Sequence, residues 1–256
     1  MDILTRIVQK RRETIHRLKK ERPAENLRRI VPPPLPLFKT NGKVTVIAEC
    51  KKASPSAGLL VPEYRPERIA DEYARGGADA LSVLTEPDFF LGADEHLISV
   101  KKSVGLPVLR KDFIFDEYQV RQSWAIGADA ILLIAAILDT EDLDTLCRSA
   151  QDLGLQVLLE VHNAEELQRI INVPADAIGI NARNLRDFSV NLQNVKKMFD
   201  KIPDNKIAVA ESGIKSGSSG KQLYDSGFRA FLVGEYFVTA RNRIQTVRSF
   251  KEALCA

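Results

Sequence analysis

The sequence predicts an α/β fold, a (βα)8 (TIM) barrel with an N-terminal helical extension. Three observations carry it. Eight short apolar runs each end at a polar residue or a glycine, and segments of helical period lie between them. A parallel strand buried on both faces reads as a continuous apolar run, and crossover helices supply the alternation. A Gly-Ala-Asp-Ala signature occurs at Gly77–Ala80 and again two βα units later at Gly127–Ala130, with fainter echoes at Ala175–Ala177 and Gly227–Ala230. Glycine there caps one helix before the next strand opens. Finally, 256 residues fit the length of about 250 typical of one such barrel. An open doubly wound sheet is the competing architecture. It usually carries a Gly-rich fingerprint after its first strand, where this chain has Ser54-Pro55-Ser56-Ala57-Gly58.

The elements follow in order. Asp2–Lys20 reads as an amphipathic helix, with Leu4, Ile7, Val8, Ile15 and Leu18 near one face. The proline run Val31–Pro36 forbids helix and reads as an extended linker. Residues 1–40 are therefore expected to form an arm and linker packed on the barrel, within a single domain spanning 1–256. The linker could direct that arm across the barrel top. The apolar runs are Val44–Ala48 before Glu49, Ala80–Leu84 before Thr85 and Glu86, Pro107–Leu109 before Arg110 and Lys111, and Ile131–Ala136 before Asp139. Then come Leu155–Leu159 before Glu160, Ala177–Ile180 before Asn181, Ile207–Ala210 before Glu211 and Ser212, and Ala230–Val233 before Gly234. Active sites of this fold sit at the C-terminal strand ends, so these polar residues are the first candidates for chemistry.

Residues two apart on a strand share a face. Glu49 thus points with Lys51, Lys111 with Leu109, Glu160 with Leu158 and His162, and Asn181 with Arg183, while Cys50 points the other way. A structural ion-pair ring would explain any one of these charges. It explains all of them poorly, because each buried unpaired charge costs several kcal/mol. Ser212 and Gly213 follow the seventh run, and Gly234 and Glu235 the eighth; loops there commonly bind phosphate in this fold. Gly217-Ser218-Ser219-Gly220-Lys221 fails as a P-loop, because Gln222 stands where Ser or Thr is needed, and it reads as a flexible βα loop.

A net charge of +3 is too small to argue for nucleic acid, and the basic clusters Lys10–Arg12 and Lys19–Arg22 read as solvated helix faces. Cys50, Cys147 and Cys255 are odd in number and irregular in spacing, which suits reduced thiols in the cytoplasm. The charged N-terminus lacks the core of a signal peptide, and the longest apolar stretch, Ala130–Leu138, is too short to span a membrane. His16, His96 and His162 are scattered, so no metal site is expected. His162 reads as a helix-start or surface residue.

Nearly the whole chain resembles the indole-3-glycerol-phosphate synthase family. The most specific segment is Ile47–Gly58, joined by Leu81–Glu86, Lys111–Ile114, Gly127–Ile134, Leu159–His162, Ile178–Leu185 and Ala210–Ile214. Ala182, the small polar Ser216–Gly220 stretch and Tyr236-Phe237-Val238 depart from the family's commonest pattern. The resemblance implies a cytoplasmic lyase of tryptophan biosynthesis acting on 1-(2-carboxyphenylamino)-1-deoxyribulose 5-phosphate. The ring carbon bearing the carboxylate attacks the ribulose C2 carbonyl, and loss of CO2 and water gives indole-3-glycerol phosphate. No metal or organic cofactor is implied.

By the same resemblance, Lys111 is the general acid and Glu160 holds it and steadies positive charge on the aniline nitrogen. Glu49 and Lys51 are the dehydration pair. Arg183, with Lys51, takes the substrate carboxylate. Asn181, Glu211 and Ser212 hold the sugar hydroxyls, and Ser54 with Gly213, Gly234 and Glu235 the phosphate. Phe90, Phe113, Leu132 and Phe188 form the aryl wall. The expected partner is this phosphorylated small molecule; a monomer and an association with other tryptophan-pathway enzymes both stay open. Two other readings remain: an isomerase of the phosphoribosylanthranilate type, which would need a Cys/Asp pair that the parity of Cys50 disfavours, and a non-catalytic phosphate-binding barrel.

Overall fold

A computed structural model describes residues 2–38, 43–183 and 192–255. Eight parallel strands close into a barrel in chain order. They are β1 (Thr45–Cys50), β2 (Ala80–Leu84), β3 (Val108–Lys111), β4 (Ala130–Ile134), β5 (Gln156–Val161), β6 (Ala177–Asn181), β7 (Ile207–Glu211) and β8 (Ala230–Val233). Ladders between β1 and β8 seal the ring. The helices are α1 (Ile3–Glu21), α2 (Pro66–Gly76), α3 (Asp94–Ser103), α4 (Glu117–Ile126) and α5 (Thr140–Asp152). They continue with α6 (Ala164–Ile170), α7 (Leu192–Phe199), α8 (Gly217–Asp225), the short α9 (Glu235–Val238) and α10 (Arg243–Cys255). The repeated glycines Gly77 and Gly127 sit in the left-handed region at φ of 92° and 107°, capping α2 and α4 as the repeat implied.

Strand residues divide by parity into two cores. Val46, Ala48, Cys50, Val83 and Ile131 face outward against the helices. Ile47, Ala80, Leu109, Leu132, Leu158 and Leu232 face inward. The stagger of the strands then sets heights inside the barrel. Glu49 pairs with Ser82 and Ser82 with Leu109, two residues short of Lys111. Leu109 pairs with Ala130 and Ala130 with Gln156, so Lys111 is level with Leu158, two short of Glu160. Glu160 pairs with Gly179 and Gly179 with Val209, two short of Glu211. Glu211 pairs with Leu232 and Leu232 with Ile47, two short of Glu49. Glu49, Lys111, Glu160 and Glu211 therefore form one inward layer, contributed by β1, β3, β5 and β7, as alternate strands do in this fold.

The linker runs along the barrel bottom, and two expectations need correction. The N–H of Leu35 donates to Asp129, and those of Leu37 and Phe38 to Gln156, at the strand starts, so the linker closes the bottom. Helix α1 itself reaches the top, where Ile3, Leu4, Ile7 and Val8 share a cluster with Phe89, Phe90 and Phe113. Within the basic run Lys10–Arg12, Arg11 is buried rather than solvated. It meets Asp112 through two hydrogen bonds of 2.9 and 2.5 Å. Lastly, Ser216–Gly220 is not a flexible loop. Ser216 caps α8, its hydroxyl accepting from the N–H of Ser219 while the Ser219 hydroxyl accepts from the N–H of Ser216. This reciprocal capping starts a helix that composition alone reads as loop.

Candidate active site

The mouth at the C-terminal strand ends holds a cavity of about 410 Å³. Lys51, Ser54, Phe90, Phe113, Leu132, Asn181, Arg183, Ser212, Gly213, Gly234 and Glu235 line it, together with the charged layer Glu49, Lys111, Glu160 and Glu211. Every expected site residue is thus brought together except Phe188, which lies outside the described residues. Sequence reasoning missed several others, among them Ser56, Leu84, Ile134, Lys215, Leu232 and Tyr236. Leu84, Ile134 and Leu232 share inward parity with the cavity and could have been found; Ser56, Lys215 and Tyr236 lie beyond the strands, where parity says nothing.

Lys111 sits at the centre. Its Nζ lies 3.0 Å from Glu160 Oε2 and 3.1 Å from Glu211 Oε2. Burial alone would drive off its proton. The carboxylates of Glu160, Glu211 and Glu49 overcome that and hold the ammonium charged well above its ordinary range. Burial pushes Glu160 up as well, but Lys111 and His162 reverse this and keep it ionised far below the usual carboxylate range. Burial raises Glu211, and its share of Lys111 does not compensate. Gly179 makes room for this layer, because a Cβ there would collide with Glu211 Oε1. Beside it, Lys51 Nζ donates to Glu49 Oε1 at 2.7 Å.

Arg183 spans the mouth. Its guanidinium donates to Ser56 Oγ in the loop after β1 at 3.2 Å and lies 3.8 Å from Glu235 after β8. Asn181 Oδ1 accepts from the Arg183 N–H at 3.0 Å, which orients both. After β7, Ser212 and Gly213 both take positive φ, 62° and 73°, and turn the chain onto the cavity wall. For Ser212 that conformation is strained, a feature that clusters at ligand sites. In the same cavity, the Phe90 and Phe113 rings stand 6.1 Å apart and are tilted by 40°.

Other polar strand ends serve the scaffold. Arg110 points outward and is fully buried, donating to Asp94 at 2.8 Å and Asp112 at 3.1 Å. The Thr85 hydroxyl donates to Asp112 at 2.7 Å. Burial would raise Asp112, but Arg11 and Arg110 hold it down to about 2. Glu86 accepts from the N–H groups of Asp88, Phe89 and Phe90, and Asp139 caps α5. His162 stands at a helix start, just before the Asn163 cap of α6, but not at the surface; it lies against Glu160 and Glu166, its side chain 10% exposed.

A closed (βα)8 barrel with an inward layer of acid–base groups beside glycine loops is the architecture of a barrel enzyme with its site at the C-terminal face. The chain belongs to the indole-3-glycerol phosphate synthase family, whose model matches residues 4–250. It is 45% identical over 214 residues to the indole-3-glycerol phosphate synthase of Acetivibrio thermocellus, covering 84% of this chain and 82% of that protein. To the synthase of Nautilia profundicola it is 47% identical over 206 residues, covering 80% of each. Among solved structures it is similar to the 3-hexulose-6-phosphate synthase of Salmonella typhimurium, with a TM-score of 0.67 and 15% identity over 82% of this chain and 98% of that one. That last likeness speaks for the fold alone.

Proposed function

We propose that this chain closes, decarboxylates and dehydrates 1-(2-carboxyphenylamino)-1-deoxyribulose 5-phosphate to indole-3-glycerol phosphate, as a single-domain cytoplasmic enzyme of tryptophan biosynthesis. The observation that carries the reading is Lys111, held as an ammonium between Glu160 and Glu211 in a cavity that Phe90, Phe113 and Leu132 also line. The aryl ring fits against Phe90, Phe113 and Leu132, with its carboxylate towards Arg183 and Lys51. The phosphate fits between the loops at Ser212–Gly213 and Gly234–Glu235, with Ser54 nearby. This folds the substrate so that ring carbon and C2 carbonyl meet, a positioning effect worth several kcal/mol. Lys111 donates to the C2 oxygen as charge develops there, and Glu160 faces the positive aniline nitrogen. Loss of CO2 restores the ring. Glu49 and Lys51, already paired, then remove and deliver protons for dehydration.

The isomerase reading needs a thiol at the mouth. Cys50 instead faces the outer core, fully buried, and burial drives its thiol pKa well upward. Incubation with the anilino-ribulose phosphate should produce indole fluorescence and CO2. Binding without turnover would favour the non-catalytic barrel, and conversion without CO2 release would favour an isomerase. Among the described residues no helix is long and apolar enough to cross a membrane. Gel filtration separates a monomer from a larger assembly.

Two further results are expected. Exhaustive chelation should leave turnover unchanged; a loss restored by a divalent cation overturns the cofactor-free reading. Removing residues 1–22 should leave a folded barrel whose substrate binding is weaker by roughly tenfold, about 1.4 kcal/mol. Helix α1 backs the Phe90–Phe113 wall and holds Asp112, next to Lys111, through Arg11. The linker should be kept in this test, because Leu37 and Phe38 are buried against the barrel floor. Circular dichroism and a binding titration check it, and unfolding on truncation would make the arm purely structural.

A further inference from the structure

Lys111 has two carboxylate partners at almost the same distance, Glu160 at 3.0 Å and Glu211 at 3.1 Å. One ammonium facing two buried carboxylates is nearly symmetric, and geometry at Lys111 does not say which of them stays ionised. The asymmetry comes from one residue beyond β5. His162 Nε2 lies 3.1 Å from Glu160 Oε1, the oxygen that Lys111 does not touch. The approach is off the line a hydrogen bond needs, so the attraction is one of charge. The far side of the ring is anchored by α6: Nδ1 lies 3.3 Å from Glu166 Oε2, which also accepts the His162 N–H at 2.8 Å. No comparable cation approaches Glu211 among the described residues, and its Oε1 is buried without a hydrogen-bond partner. His162 does not line the cavity.

We propose that His162 is a positioning residue that makes Glu160, rather than Glu211, the ionised partner of Lys111. The inference rests on the reading of Lys111 as the acid of ring closure: a fixed anion at Glu160 holds the ammonium, and Glu211 is left as the group that keeps a proton beside it. The charges facing Glu160 are Lys111 from β3, Glu211 from β7 and His162. Glu49 from β1 acts through Lys111, and Glu166 from α6 acts through the imidazole. Burial lowers His162's hold on its proton, but Glu160 and Glu166 reverse that and push it up to about 10. The ring therefore carries its charge across the neutral range. Removing that charge raises the proton affinity of Glu160, and a less anionic Glu160 repels Glu211 less, so the affinity of Glu211 falls.

The test is a carbon NMR titration of protein carrying δ-labelled glutamate, without substrate, assigned with Glu160→Gln and Glu211→Gln. In the native chain, Glu160 should stay ionised into the acid range while Glu211 takes up a proton well above it. In His162→Leu the Glu160 transition should rise by about one pH unit or more, and that of Glu211 should fall. His162→Gln keeps a polar side chain without the charge and should behave like the leucine variant. Native titrations in His162→Gln, or unchanged ones in His162→Leu, overturn the proposal. If His162→Leu does not fold, His162→Gln carries the test alone, and an unchanged Glu160 transition there is equally decisive. In turnover, the acid limb of kcat should move to higher pH with KM little changed. An inactive protein that shows the expected titrations refutes the proposed reaction and leaves this assignment standing.

Discussion

Replacing Lys111 by alanine is expected to lower kcat by at least about a hundredfold, with substrate binding largely kept. Ring closure places negative charge on the C2 oxygen, and a placed ammonium both stabilises and protonates it. The proposed phosphate and carboxylate contacts lie on other loops, so affinity should survive. The substitution leaves Glu160 and Glu211 facing each other without their cation. Glu160 then takes up a proton more readily, and the fold should persist at a stability cost of about 3 kcal/mol. Lys111→Arg keeps the charge but should rescue little, since guanidinium is a poor proton donor near neutral pH. Single-turnover kinetics with a parallel binding titration on both variants decides it. Ring closure at near native rate in Lys111→Ala would move the acid role to Lys51.

Arg183→Ala should weaken substrate binding by about 2–5 kcal/mol, the range for truncating one partner of a desolvated charge pair. The loss should come through the anthranilate carboxylate. Arg183 also tethers the loop after β1 through Ser56 and approaches Glu235 after β8, so its removal could act by loosening both loops. An analogue lacking the carboxylate separates the two routes. It should bind native and variant protein about equally. Equal losses for both ligands would assign Arg183 to loop tethering alone.

Much of the site could be read before any fold was known, for reasons specific to parallel barrels. Strands buried on both faces leave long apolar runs, so a charge that ends such a run is conspicuous. Alternation then separates Glu49 and Lys51 from Cys50, and the structure places the first two in the cavity and the third in the outer core. The failures share a cause. Arg11 sits in a basic run that looks solvated, yet its partner Asp112 is far away in sequence and meets it only once α1 docks. Thr85 and Arg110 end apolar runs as the cavity residues do, but they serve Asp112 rather than the cavity. Ser216–Gly220 has loop composition, and only the reciprocal caps make it helical.

The sequence by itself determined the number and order of strands, the parity of each charged residue, and the family, because these depend on local periodicity and short motifs. Tertiary structure decided the rest. The stagger of eight strands sets Glu49, Lys111, Glu160 and Glu211 at one height. The docking of α1 and the linker decides that the arm braces the mouth while its tether seals the floor. The packing of α6 turns His162 onto Glu160. Each of these couples side chains distant along the chain or held by packing, and a local pattern carries no record of such distances.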